Sequence, residues 1–146
     1  MEKAFTLLAL VCFISSCVLG PSATAPTGPP PFQVTEISDD TTYGYSEKNP
    51  VQVGGALESG PMNERFYLDQ LRGPNGQKIY YERLGSCCHF PSESDFYGNG
   101  KVPLDMYKVA YMGIEEPVII YINMYDLVEP KAPVGFTVTG SEMHSL

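Results

Sequence analysis

The chain has 146 residues and carries 17 acids against 9 Lys plus Arg, for a net charge of −8. That length leaves room for one domain. The acidic balance is repelled by phosphate backbones and anionic headgroups, so it argues against nucleic acid as a partner and against membrane attachment through a basic patch.

The amino end reads as a targeting segment. Met1-Glu2-Lys3 precedes an apolar run from Phe5 to Ile14. That run is too short to cross a bilayer, which takes about 20 residues, but it suits the apolar core of a secretory signal. Ile14-Ser15-Ser16-Cys17 resembles the lipobox of bacterial lipoproteins, in which the cysteine is acylated and becomes the first mature residue. The expectation is a signal peptide over 1–16, acyl chains on Cys17 and stable membrane attachment through them. Plain secretion after cleavage near Ala25 and an uncleaved anchor are the alternatives.

Residues 17–49 read as a flexible tether. Pro21, Pro26, Pro29, Pro30 and Pro31 lie among small residues, and the polar run that follows includes Asp39, Asp40, Thr41 and Thr42. Such a stretch favours extended polyproline geometry and buries little apolar area. Tyr43 and Tyr45 offer a way to dock part of it.

A packed domain is expected over 50–139. Val51-Gln52-Val53 is a short strand closed by Gly54-Gly55. Ser59 to Gly73 carries helix punctuation, with Ser59 or Gly60 as cap, Pro61 in the first turn and Gly73-Pro74 as the stop. Tyr67, Leu68 and Leu71 form its apolar face. Lys78 to Leu84 reads as the next strand and Ser92 to Lys101 as a loop. Met106–Met112 and Val118–Tyr125, separated by Gly113 to Pro117, form a central hairpin, and Phe136 to Val138 a last short strand. This order predicts an α+β fold: a small, mostly antiparallel sheet with one helix packed on a face. Residues 140–146 read as a frayed tail.

Candidate chemistry is sparse. With Cys12 lost in the signal and Cys17 acylated, Cys87 and Cys88 are the remaining cysteines. Three readings stay open: two separate thiols, a disulfide between neighbours, or a partial metal site completed by His89. Adjacent Cα atoms sit 3.8 Å apart across a trans peptide, where relaxed disulfides want about 4.4–6.8 Å, so a bridge there would reduce easily and suit a redox switch. Strand alternation argues against it, since neighbours on a regular strand face opposite ways. For zinc, Cys87, Cys88 and His89 lack the usual spaced pairs, and His144 is the only other histidine. Two acid pairs, Glu64 with Asp69 and Asp105 with Asp126, are weak candidates for acid–base work.

Ten tyrosines and no tryptophan suggest a sheet whose rings point inward and whose hydroxyls sit at the rim. Tyr121 and Tyr125, together with Asn63, Glu64 and Arg65, are the candidate contacts for an envelope protein or a glycan.

Gly60-Pro61-Met62-Asn63-Glu64-Arg65, Gly85-Ser86-Cys87-Cys88, Tyr121 to Asp126 and Pro130-Lys131-Ala132-Pro133 together resemble a family of small uncharacterised lipoproteins of Bacteroidota. Some members carry the label 2-dehydro-3-deoxyphosphooctonate aldolase. Such aldolases are (β/α)8 barrels of about 250 residues, so the label finds no support here. The resemblance implies a lipid-anchored envelope protein without an assigned active site or cofactor. Val18-Leu19-Gly20 lacks the acidic residues that follow the cysteine in surface-exported members, which favours the outer membrane's periplasmic side over surface exposure. The leading expectation is a non-catalytic binding domain on an anchor, and the alternative is a thiol-redox or metal-dependent enzyme centred on Cys87, Cys88 and His89.

Overall fold

The β-branched run Val118–Asn123 is flanked on both sides in the computed structural model, which describes residues 31–55 and 59–139. Its elements are β1 (Val51–Gln52), α1 (Gly60–Gln70), β2 (Leu71–Arg72), β3 (Ile79–Pro91), β4 (Lys101–Tyr111), β5 (Val118–Asn123) and β6 (Thr137–Val138). A four-stranded sheet runs in the order β1-β5-β4-β3, and β2 pairs with β6 in a small second sheet. The β3–β4 and β4–β5 pairs are antiparallel, while β1 joins β5 in parallel, Val51 opposite Ile122. The α+β architecture is therefore the expected one, its mostly antiparallel sheet made mixed by the parallel β1.

The core follows the alternation of the strands. Tyr107 and Val109 of β4 and Ile120 and Ile122 of β5 are buried with Tyr67, Leu68 and Leu71, the apolar face expected of the helix segment. Helix α1 stops before Gly73 because Leu71 turns extended and pairs with Val138. Val102 and Leu104 are also fully buried but lie outside this cluster. Their even positions put them on the opposite face of β4 from Tyr107 and Val109.

Two expectations change. The strand expected over Lys78–Leu84 continues to Pro91, through both cysteines. And the segment assigned to the tether folds onto the domain from Phe32. Val34 is buried in the core cluster, and its N–H donates to Gln70 Oε1 at 2.9 Å. Ser38 and Ala132 share a backbone hydrogen bond of 2.8 Å, and Phe32 meets the Phe66 ring edge-on at 5.4 Å. Tyr45 O–H donates to the Val134 carbonyl at 2.6 Å, while Tyr43 Oη accepts from Lys131 N–H at 3.2 Å. A few spaced apolar and aromatic side chains thus hold a stretch whose average composition is polar. The signal segment, Cys17, the first part of the tether (17–30) and the tail at 140–146 lie outside the described residues. Among the described residues, no helix is long and apolar enough to cross a membrane.

Candidate functional site

Asn123, at the end of β5, organises the loop that follows it. Fully buried, it accepts from the N–H groups of Tyr125 (2.8 Å) and Asp126 (3.2 Å) through Oδ1 and donates to Asp126 Oδ2 at 2.7 Å. Asp126 Oδ1 in turn accepts from Ser92 O–H at 2.9 Å and Ser94 N–H at 3.2 Å, which ties the β3–β4 loop to the end of β5. That loop carries Phe96 and Tyr97 over Tyr125. The ring centroids lie 4.8 to 5.8 Å apart in edge and tilted arrangements, and the Tyr97 and Tyr125 hydroxyls are 3.0 Å from each other. Phe96 and Tyr97 are about half exposed, at 44% and 52%. Three aromatic rings from two loops thus reach the surface together.

A hollow of about 250 Å³ opens beside this cluster, floored by Gly60, Pro61 and Met124. A larger one of about 710 Å³, bordered by Glu93, Asp126 and Leu127, shares Gly55, Ser94 and Tyr125 with it. Through these shared residues the two adjoin as one groove. Neither is lined by Lys, Arg or His, and the larger carries two carboxylates. An anionic ligand is therefore disfavoured there. An uncharged ligand with flat apolar faces and hydroxyl edges fits the chemistry. Burial and the neighbouring Tyr97 hydroxyl raise the Tyr125 phenol well above its ordinary pKa, so it remains a hydrogen-bond donor.

Glycines permit the close packing behind the groove. A Cβ on Gly54 would collide with the main chain of Tyr125 and Asp126, and one on Gly60 would come within 2.8 Å of the Met124 carbonyl. Asn63 fixes this layer: its Nδ2 donates to the carbonyls of Val53 (2.9 Å) and Gly54 (3.0 Å).

Beneath lies a polar centre. Glu64 projects from α1 into the core, 1% exposed, and accepts from Tyr107 O–H at 2.9 Å through Oε2; among the described residues its Oε1 has no hydrogen-bond partner. Burial first, and then the nearby Asp105 carboxylate, push the Glu64 pKa up to about 8, so this side chain is mostly a neutral acid at pH 7. Tyr107 is raised as well, by burial and by Glu64. Asp105, 3% exposed, is held by a two-pronged Arg83 guanidinium at 2.6 and 2.8 Å and by Ser86 O–H at 2.6 Å. Arg83 also donates to Ser86 Oγ at 2.8 Å. Arg83 and Ser86 thus satisfy the Asp105 carboxylate, whereas Glu64 is met by the Tyr107 hydroxyl on one oxygen.

The residues singled out from sequence are thus redistributed. Tyr125 stands in the groove. Tyr121 does not line it; its N–H is bound to the Gly44 carbonyl at 2.8 Å. Asn63 and Glu64 are corrected from surface contacts to internal groups, because both side chains find or need polar partners inside; Arg65 is exposed. Asp105 acts on the buried Glu64, a pairing of carboxylates that the sequence does not suggest. Cys87 and Cys88 are joined by a disulfide, and His89 beside them is exposed. Among the described residues, no group of three or more His, Cys, Asp or Glu is placed to hold a metal ion. Phe96, Tyr97, Ser92 and Ser94 were missed within a segment read as a plain loop, although two adjacent aromatics in a polar run were a legible signal. No known family, characterised protein or solved structure matches the chain.

Proposed function

We propose that this chain is a lipid-anchored cell-envelope protein, acylated on Cys17 and facing the periplasm from the outer membrane, whose folded domain binds a neutral glycan of the envelope. The observation that carries the binding role is the Phe96–Tyr97–Tyr125 cluster, with Phe96 and Tyr97 exposed, beside a groove whose lining holds no cation. Sugar rings present C–H faces that stack on aromatics and hydroxyl edges that seek carboxylates and amides. Asp126 and the Ser92–Ser94 turn offer such partners next to the rings. The work on the ligand is recognition, with the anchor fixing position.

Co-sedimentation of the full chain with insoluble neutral polysaccharides, followed by calorimetry with the matching oligosaccharides, tests the binding role. Tyr125→Ala should weaken binding by roughly two- to twelvefold, the loss of one stacked ring at about 0.5–1.5 kcal/mol. Retention unchanged by Tyr125→Ala and Phe96→Ala would refute the groove, and capture of a protein in place of the polysaccharide would redirect the reading to a protein partner. Radiolabelled fatty acid incorporated by the wild type and lost in Cys17→Ala tests the anchor.

A further inference from the structure

The Cys87–Cys88 disulfide lies outside the groove and is not used by the reading above. It joins neighbours in the chain on β3, which is the edge strand of the sheet. The ladder with β4 slips here: Cys87 opposes Leu104 and His89 opposes Pro103, so Cys88 has no partner in the register and takes a positive φ of 20°. This bulge explains how neighbouring side chains on a strand meet, because the extra residue breaks the alternation that would point them apart. Both cysteines are half-buried. Cys88 borders a hollow of about 520 Å³ that is also lined by Glu47, Lys48, His89, Phe90 and Pro91.

We propose that Cys87–Cys88 is a thiol–disulfide exchange site that accepts electrons from a dithiol reductant and thereby resets the outer half of β3. The hollow gives a small or loop-borne thiol a way to Cys88, and because Lys48 stands beside Glu47 on its wall, the ammonium offsets the carboxylate that would otherwise repel an incoming thiolate. The thiolate attacks Cys88 Sγ, the sulfur–sulfur bond breaks, and Cys87 leaves as a thiolate that takes up a proton. The second thiolate of the reductant then attacks its own sulfur in the mixed disulfide, and Cys88 departs and is protonated. The pair gains two electrons and two protons, and the dithiol becomes a disulfide.

The structural readout is Ser86. It sits between two register slips, one from Arg83 to Gly85 and one from Cys87 to His89, and it donates to Asp105 while accepting from Arg83. Opening the bond frees Cys88 from the bulge, so the register from Ser86 outward shifts and the clasp on Asp105 changes with it.

The test is alkylation mapping on the full chain, read on the peptide that holds both cysteines. Protein alkylated at isolation should carry no label there. After incubation with dithiothreitol in native buffer it should gain two labels while its circular dichroism stays folded. The amide resonances of Ser86 to Phe90 should move on reduction, and the Cys87→Ser/Cys88→Ser double variant should show the shifted positions without reductant. Lys48→Glu, an exposed change, should slow labelling after dithiothreitol by roughly threefold, as for a solvent-screened charge reversal. Two labels before any reductant, or none until urea is added, would overturn the exchange site. An unchanged rate in Lys48→Glu would overturn the hollow as its entrance, and unmoved Ser86 to Phe90 resonances would overturn the reset of β3.

Discussion

Replacing Glu64 with glutamine isolates the buried proton. In the folded chain this carboxyl titrates near 8 against an ordinary 4.5, chiefly because burial penalises its charge. A raised folded pKa means that the native state holds the proton more tightly, so the stabilisation is complete below pH 4.5. It declines as pH rises and is gone above about pH 8. At about 1.36 kcal/mol per pH unit, the wild type should lose about 3 kcal/mol between pH 4.5 and 7 from this group, and about 5 kcal/mol over the whole window. The amide introduced by Glu64→Gln cannot ionise, yet its carbonyl still accepts from Tyr107. Urea unfolding of both proteins across pH 4.5–8 should therefore show the difference between them swinging toward the variant by those amounts, whatever the other carboxylates contribute in common. A difference that stays flat across this range would refute a neutral buried Glu64.

Two further perturbations test the frame around it. Val34→Asp puts a carboxylate into the core and should lower stability by about 3 kcal/mol, while exposing residues 32–49 to protease; unaltered stability and protection would show that this segment is not part of the domain. Gly54→Ala drives a Cβ into the Tyr125–Asp126 main chain and should cost about 1–3 kcal/mol in urea unfolding while reducing polysaccharide retention, since Tyr125 must move.

The strands and the helix were legible because burial leaves a periodic imprint. Tyr107 and Val109, and Tyr67, Leu68 and Leu71, were recognisable from spacing, and each is in the core; the run from Val118, apolar on both faces, marks a covered strand without singling out Ile120 and Ile122, which join them there. What spacing cannot encode is a partner far away in the chain. Glu64 and Asn63 look like ordinary helix-surface residues until Tyr107 and the Val53–Gly54 carbonyls are brought to them. The docking of 32–49 was obscured for the same reason, since its contacts are made by Gln70, Ala132 and Val134. Strand alternation argues against a bond between neighbouring cysteines, and it is the bulge at Cys88, invisible in composition, that reverses the geometry.

The parallel seam between β1 and β5 joins stretches close to opposite ends of the domain, Val51 with Ile122, and Ile37 likewise meets Ala132. Pairings so distant along the chain are slow to form. An emerging polypeptide cannot zip this seam until α1, β3 and β4 have been made and β5 has followed them. The β3–β4 hairpin, whose strands are neighbours in sequence, can pair before that seam closes, so the sheet grows from its local edge toward its distant one.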